Sequence, residues 1–255
     1  MTGNIETTID GVLFMERFKF TLFLNSRGRP QLLLQFLKNI QNITADLSSI
    51  EVLCNCDDDD TSTLLIKDQL LSYTFTNIEF KERTNDLIAG YNYSVSRSRG
   101  KYLFVMNDDA FIRTQYWDLI AWDTLEDYLG DKPDGVVFGE TEDTSIDKIG
   151  VYPSFPIISK KATNALGFFM HPRFNALGGD VGIYRVYQGI NRVVKVNILV
   201  DHTLHTQREN ISNPDFTAQE MHVRSNITPQ NVMDCTTFDV SEDIQRLSTY
   251  IENFK

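Results

Sequence analysis

The sequence of 255 residues has few cysteines, no long apolar run and too little positive charge to balance its acids. Its three cysteines are an odd number, and Cys54 and Cys56 stand two apart, which places both thiols on one face of a strand and favours buried thiols over a disulfide. No apolar run approaches the length of about 20 residues that a bilayer span needs. The first ten residues are polar and acidic, without the basic and then apolar pattern of a secretory signal. These absences predict a reduced, cytoplasmic protein without a membrane span.

Positive charge is scarce: 24 Lys and Arg stand against 35 Asp and Glu, for a net charge of −11. Proteins that bind extended nucleic acid normally have a basic face, so this deficit disfavours a general binder of the phosphate backbone. It still permits a pocket in which a few arginines hold one phosphorylated small molecule. The chain has 17 Phe, ample for a hydrophobic core.

Short apolar runs alternate with segments of helical periodicity. Residues 18–24 form a predicted strand, and after a polar turn Pro30 begins a predicted helix with Leu33, Phe36 and Ile40 on its inner face. Alternation of this kind predicts one α/β domain with a mostly parallel sheet and a C-terminal helical appendage. The further predicted strands are residues 50–56, 78–81, 102–106, 134–139 and 193–200.

Three helices are predicted with their caps. The acids 57–60 should begin a helix over 64–72, because acids favour helix N-termini. Thr84 should cap the next helix, with Leu87 on its buried face. Ser241 should cap the closing helix, with Phe254 on its apolar face.

The most informative stretch is residues 101–112, where an apolar strand runs directly into Asn107, Asp108 and Asp109. Acids at the carboxyl end of such a strand lie where open α/β sheets bind ligands. Crowded carboxylates repel one another unless a cation or a ligand donor lies among them, and oxygen ligands suit Mg²⁺ or Mn²⁺. A solvated acidic turn is the alternative interpretation.

Three motifs in the first half resemble those of the GT-A glycosyltransferases of the family 2 type. Residues 25–30 (Asn-Ser-Arg-Gly-Arg-Pro) resemble the family's Thr/Ser-x-x-Arg-Pro turn, which holds the nucleotide. The acids 57–60 resemble its Asp-Asp-Gly-Ser element, without the Gly. Asn92 stands eight residues before Gly100, as in the family's Asn-x-Gly-(x)3-Ala-x-Gly pattern.

Two further motifs follow in the family's order. Residues 107–109 resemble the Asp-x-Asp motif, with Asn107 in place of the first Asp. Gly179, Asp180 and Arg185 resemble Glu-Asp-(x)4-Arg, with Gly in place of Glu. The resemblance implies a GT-A (Rossmann-like) domain over residues 18–205, comprising a nucleotide-binding half (18–106) and a metal and acceptor half (107–205). Residues 1–17 would be an N-terminal arm and 206–255 a C-terminal extension.

The resemblance also assigns roles to single residues. The implied general base is Asp180, which as a base would give inversion at the anomeric centre of the sugar. Its alternative role is to cap the helix that begins at Val181. The implied ligands of Mn²⁺ or Mg²⁺ are Asp109, His202 and His205, with a surface position as the alternative for either histidine. Arg27, Arg29 and Arg83 are candidates to hold phosphates or the base edge, with a surface position as the alternative for each, and a merely structural role is favoured most for Arg29. The implied nucleotide contacts are Ser26, Arg27, Asp57, Asp58, Arg83, Asn92, Asn107 and Asp108.

The function implied is metal-dependent transfer of a sugar from a nucleotide-sugar donor to an acceptor hydroxyl. UDP is the commonest nucleotide for such folds, and the acceptor is left open among a glycan, a lipid, a protein and a modified base. A nucleotidyltransferase that makes nucleotide sugars is an alternative, but it would need a Gly-rich loop with a lysine near residue 25. A domain that binds but does not catalyse is a second alternative, which Asn107 and Gly179 favour.

Overall fold

The computed structural model describes residues 17–84, 86–144, 152–174, 178–202 and 237–254. It also describes the backbone of a short antiparallel pair, β1 (Thr8–Ile9) and β2 (Val12–Leu13), in the N-terminal arm. His205 and most of the C-terminal extension therefore lie outside the described residues.

An eight-stranded sheet forms the centre of the fold. Its order is β5–β4–β3–β6–β9–β8–β10–β7, in which β9 runs antiparallel to both neighbours and β7 is antiparallel to β10. The remaining pairs are parallel, as predicted for a mostly parallel sheet. The strands are β3 (Phe18–Ser26), β4 (Ile50–Asp57), β5 (Thr76–Lys81), β6 (Gly100–Val105), β7 (Phe111–Ile112), β8 (Phe138–Asp143), β9 (Ile157–Ser159) and β10 (Val193–Asp201).

Helices cover both faces of the sheet, because successive strand residues point to opposite sides. In β3, Phe20 and Leu22 belong to one core cluster while Phe23 belongs to the other. The described helices are α1 (Pro30–Ile43), α2 (Thr61–Leu64), α3 (Lys67–Leu71), α4 (Leu87–Arg97), α5 (Trp117–Leu129), α6 (Lys160–Leu166), α7 (Gly179–Gly189) and α8 (Ser241–Glu252). Among them, none has both the length and the apolar character needed to cross a membrane.

Helix α1 forms as predicted and fixes the turn that precedes it. Gly28 adopts a positive φ of 68° and Pro30 is the first helical residue, where its missing N–H costs nothing. Leu33, Phe36 and Ile40 are fully buried, at about 1.5–3 kcal/mol for each side chain. The turn between β3 and α1 is thus held in place from the helix side.

The predicted helix over 64–72 is two short helices, α2 and α3, separated at Leu65 and Ile66. Leu65 is exposed and keeps helical dihedrals, and the chain leaves helical geometry at Ile66 (φ −110°, ψ 13°), which packs against the core. Asp60 caps α2 by accepting a hydrogen bond from the backbone N–H of Thr63 at 3.2 Å. One acid therefore has the capping role that was predicted for this run.

Two predicted boundaries of the next elements were wrong. Helix α4 is capped by Asp86, not Thr84, through a 2.8 Å hydrogen bond from the N–H of Ala89, and Leu87 is exposed where Ile88 is buried. Strand β8 begins at Phe138, not at Asp134, because Gly135 has a φ of 66°, which extended backbone cannot contain.

The closing helix α8 packs on α6 and α7. Leu247 is fully buried, Ile244 lies against Gly189, and Arg246 donates a 2.6 Å hydrogen bond to the carbonyl of Leu166. Ser241 is the first helical residue, not the cap, and Phe254 is exposed. The described part of the C-terminal extension is therefore attached to the half of the domain that carries Asp180.

Candidate active site

The carboxyl ends of the parallel strands meet at one edge of the sheet, as the sequence predicted. Ser26 ends β3, Asp57 ends β4, Asp143 ends β8, and Asp201 ends β10, while the acids 108–109 follow β6. The described polar residues that the sequence placed at strand ends therefore gather along this edge.

The acid pair after β6 is almost completely buried. Asp108 is 0% exposed and Asp109 is 2% exposed. The hydroxyl of Ser26 donates a 2.6 Å hydrogen bond to Asp108 Oδ2. The guanidinium of Arg29 lies 2.5 Å from Asp108 Oδ1 and 3.0 Å from Asp109 Oδ2. These ionised groups are buried because each carboxylate has a cationic or hydrogen-bonding partner.

His202, directly after β10, faces the same acid. Its Nε2 lies 3.2 Å from Asp109 Oδ1, and its ring packs edge-on against Phe155. Burial lowers the pKa of His202, although nearby Asp143 acts in the opposite direction. The imidazole is therefore neutral at neutral pH, which is the form that binds metal ions.

Asp109 and His202 fit a divalent metal by chemistry and by spacing. Carboxylate oxygen and imidazole nitrogen suit Mn²⁺, and neighbouring ligands of an octahedral ion of this size lie about 3 Å apart. No group of three or more His, Cys, Asp or Glu suited to a metal occurs among the described residues, so a full shell would need substrate oxygens or water. His205 lies outside the described residues.

Asn107 is oriented by Tyr91 of α4. The hydroxyl of Tyr91 donates a 2.8 Å hydrogen bond to Asn107 Oδ1, and burial raises the pKa of that phenol, which keeps it a donor. The carbonyl oxygen that was expected to face a ligand thus has a protein partner. Its amide nitrogen points away from Tyr91, so the amide can offer a donor.

Asp180 lies in the first turn of α7 and is partly buried. Its Oδ1 accepts a hydrogen bond from the N–H of Val181 at 2.9 Å, but Gly178 is the residue at the helix cap. Burial raises the pKa of Asp180, and the charge of Asp143 adds to this effect. The structure therefore provides a carboxylate with an increased affinity for a proton.

Gly179 explains why Asp180 has no acidic neighbour in its helix. A Cβ atom at Gly179 would lie 2.8 Å from Ile88 Cδ1 and 2.9 Å from Met170 Sδ. Apolar side chains thus fill the space that an acid at this position would take.

The four acids after β4 have different partners. Asp57 lies 3.0 Å from Arg27, which also pairs with Asp59, and Asp60 accepts a 2.8 Å hydrogen bond from the N–H of Gly28. Asp58 is exposed. Burial raises the pKa of Asp57, and the neighbouring Arg27 partly offsets this rise. The acids that engage the turn between β3 and α1 are thus Asp57, Asp59 and Asp60.

Two of the predicted nucleotide contacts lie at the periphery. Arg83 is exposed, and its charge acts on Asp57 and Asp59. The amide of Asn92 binds backbone instead: Nδ2 donates to the carbonyl of Met170 at 2.8 Å, and Oδ1 accepts from the N–H of Phe169 at 2.8 Å. Asn92 therefore fastens α4 to the segment before α7.

Sequence reasoning missed the contacts of three residues at this edge. Arg29 was a phosphate candidate for which a structural role was favoured, and it joins both buried acids. Asp143 was missed because the strand it ends was placed four residues too early. Tyr91 was missed because its helical spacing is that of a core residue of α4, and only the hydrogen bond from its hydroxyl to Asn107 shows a role at the edge.

Solved structures of similar fold include glycosyltransferases. S. aureus TarS 1-349 in complex with UDP is similar with a TM-score of 0.56 and 10% identity, over 92% of this chain and 71% of that chain. The mannosyltransferase PcManGT from Pyrobaculum calidifontis, in complex with GDP-Man and Mn²⁺, gives 0.58 and 9%, over 93% and 75%. The fold is that of the GT-A glycosyltransferases. The predicted fold class is thereby confirmed.

A longer S. aureus TarS chain has a TM-score of 0.53 and 11% identity, and the match covers only 43% of it. In sequence, no protein-family model and no curated protein matches the chain. At these identities the likeness to the GT-A structures establishes only the fold. The activity has to be inferred from the residues of the candidate site.

Proposed function

We propose that the chain is a metal-dependent glycosyltransferase of the family 2 type that moves a sugar from a nucleotide-sugar donor to an acceptor hydroxyl. The observation that carries the proposal is the meeting of Asp109 and His202 at 3.2 Å, on the same edge as a carboxylate of raised pKa, Asp180. A GT-A fold supports it, since TarS was solved with UDP and with UDP-GlcNAc, and PcManGT with GDP-Man. We propose a UDP-linked donor.

The nucleotide would bind to the half of the domain formed by residues 18–106. The turn between β3 and α1 leads into the N-terminus of α1, where the helix dipole would favour a diphosphate. Arg27, paired with two acids, is held in position for a ribose or base. The proposed contacts are Ser26, Arg27, Asp57, Asp58, Arg83, Asn107 and Asp108; Asn92 would act indirectly, by fixing α4.

The half formed by residues 107–205 would hold the metal and the acceptor. Asp109 and His202 would hold Mn²⁺ or Mg²⁺, with His205 as a further candidate. When bound, the ion would neutralise the charge that develops on the diphosphate leaving group. The lowered pKa of His202 keeps its imidazole neutral for this purpose.

Asp180 would accept the proton of the acceptor hydroxyl as that oxygen attacks the anomeric carbon. Burial raises the pKa of Asp180, which makes it a stronger base. A base on the face opposite the leaving group gives inversion. The apolar contacts of Gly179 keep a second carboxylate out, so Asp180 would act alone.

A thermal-shift screen tests the proposal directly. Wild type, Asp109→Ala and the exposed-carboxylate control Asp123→Ala are heated with UDP, GDP, TDP or CDP, with and without Mn²⁺. A ligand at about 100 times its Kd adds close to 3 kcal/mol to the free energy of unfolding, which raises the midpoint measurably.

The expected result is a shift for one nucleotide that requires Mn²⁺, persists in Asp123→Ala and is lost in Asp109→Ala. Absence of any shift would refute the site. Binding without hydrolysis or transfer of the matching nucleotide sugar would favour the binding domain without catalysis, for which Asn107 in place of an acid is the supporting observation.

A further inference from the structure

Arg29 bridges the two carboxylates on which the proposed function depends. Its guanidinium lies 2.5 Å from Asp108 Oδ1 and 3.0 Å from Asp109 Oδ2, although it is 80 residues from Asp109 in sequence. The side chain of Arg29 is 18% exposed, so this contact is largely shielded from water. A single positive charge is therefore already shared by both acids.

A divalent ion on Asp109 and His202 would compete with this charge. Asp109 contacts His202 through Oδ1 and Arg29 through Oδ2, so the ion and the guanidinium would share one carboxylate. A guanidinium cannot relieve the repulsion by losing its proton. Relief must come from movement of the side chain.

The backbone of Arg29 is fixed, which confines the movement to the side chain. Its carbonyl accepts a hydrogen bond from the N–H of Leu33 at 3.1 Å, at the start of α1. The preceding N–H of Gly28 is bound by Asp60 at 2.8 Å. A released guanidinium would therefore stay beside the N-terminus of α1, where a diphosphate is expected.

We infer that Arg29 is an exchangeable counter-cation: the divalent metal displaces its guanidinium from Asp109, and the released guanidinium then binds the diphosphate of the donor. The inference rests on the proposed function and adds, to the phosphate contact for which Arg29 was a candidate, an exchange between Arg29 and the metal at Asp109. Arginine suits this exchange because its planar fork pairs equally with carboxylate and with phosphate oxygens. Metal and nucleotide then bind cooperatively, since each ligand favours the same position of the side chain.

The test measures Mn²⁺ affinity by titration without nucleotide, and UDP affinity in the presence of Mn²⁺. The variants are Arg29→Gln, Arg29→Lys and the control Arg97→Gln, which removes the same charge from an exposed arginine that pairs with Glu79, outside the proposed contacts. Arg29→Gln should bind Mn²⁺ at least about tenfold more tightly, because the competing charge is gone. It should bind UDP about tenfold more weakly, because one phosphate partner is lost.

The controls separate local competition from general charge. Arg97→Gln should leave the affinities for Mn²⁺ and UDP within about twofold of wild type, since an exposed charge outside the site is screened by solvent and salt. Arg29→Lys keeps the charge but loses the planar fork and two of the five N–H donors, so Mn²⁺ affinity should rise by a smaller factor than in Arg29→Gln.

The outcomes distinguish this inference from the proposed function. A wild type that binds neither Mn²⁺ nor UDP refutes the proposed function. A wild type that binds both, with Mn²⁺ affinity unchanged or reduced in Arg29→Gln, refutes only the exchange. Should Arg29→Gln fail to fold without its buried counter-charge, Arg29→Lys decides, because an unchanged Mn²⁺ affinity there also refutes the exchange.

Discussion

Replacing Asp180 by Asn should abolish activity and at the same time stabilise the protein. Asn keeps an oxygen that can accept the 2.9 Å hydrogen bond from the N–H of Val181, so helix α7 loses no contact. It cannot accept a proton from an acceptor hydroxyl. The substitution thus separates the role in catalysis from the role in the helix.

The magnitudes follow from the two roles. Loss of a general base typically costs a factor of about 10²–10⁴ in rate, or about 3–5 kcal/mol of transition-state stabilisation. Burial raises the pKa of Asp180 above its unfolded value, so the folded state binds the proton more tightly. The wild type therefore loses stability as pH rises through the interval between the unfolded and the folded pKa of Asp180. The asparagine side chain does not titrate, so Asp180→Asn should be more stable than the wild type at neutral pH but not at acid pH.

The assay combines donor turnover with thermal unfolding across pH. For the wild type, kcat/KM should fall on the acid side with a midpoint above the ordinary aspartate value of about 3.9, since the base must be ionised. Asp143→Asn is the matched variant: its charge raises the pKa of Asp180, so its removal should move the acid limb to lower pH. Activity of Asp180→Asn within a few-fold of wild type, or an acid limb unmoved in Asp143→Asn, would refute the reasoning.

Three further substitutions test the fold around the site by denaturant unfolding. Gly100→Ala should lower the free energy of unfolding by about 2 kcal/mol or more, because its Cβ would clash with Thr21 N, a backbone atom of strand β3. A loss below about 0.5 kcal/mol would contradict this. Ser26→Ala removes the hydrogen-bond donor to buried Asp108 and should lower the free energy of unfolding by about 1.5–3 kcal/mol. An unchanged unfolding midpoint would show that this hydrogen bond contributes nothing. Gly179→Glu should lower the free energy of unfolding more than Gly179→Ala does, because it adds a charge beside the apolar side chains of Ile88 and Met170. Equal losses in the two variants would exclude the charge as the cause.

The sequence determined the layers of the fold and the edge that carries the site. Helical spacing located α1, apolar runs located β3, β4 and β6, and the rule that ligands bind at the carboxyl ends of parallel strands placed residues 107–109 and His202 on one edge. These signals are local, since each depends on residues within one element. That is why they could be read without the structure.

Only the tertiary structure decided which groups are partners. Asp60 binds the turn at Gly28 while Asp57 binds Arg27. The sequence alone shows four consecutive aspartates and does not distinguish between them. Asn92 binds the backbone of Met170, 78 residues away, and Arg29 reaches Asp109 across a comparable separation. Such contacts depend on how the strands are ordered and on how deeply each group is buried, and neither leaves a periodic trace in the sequence.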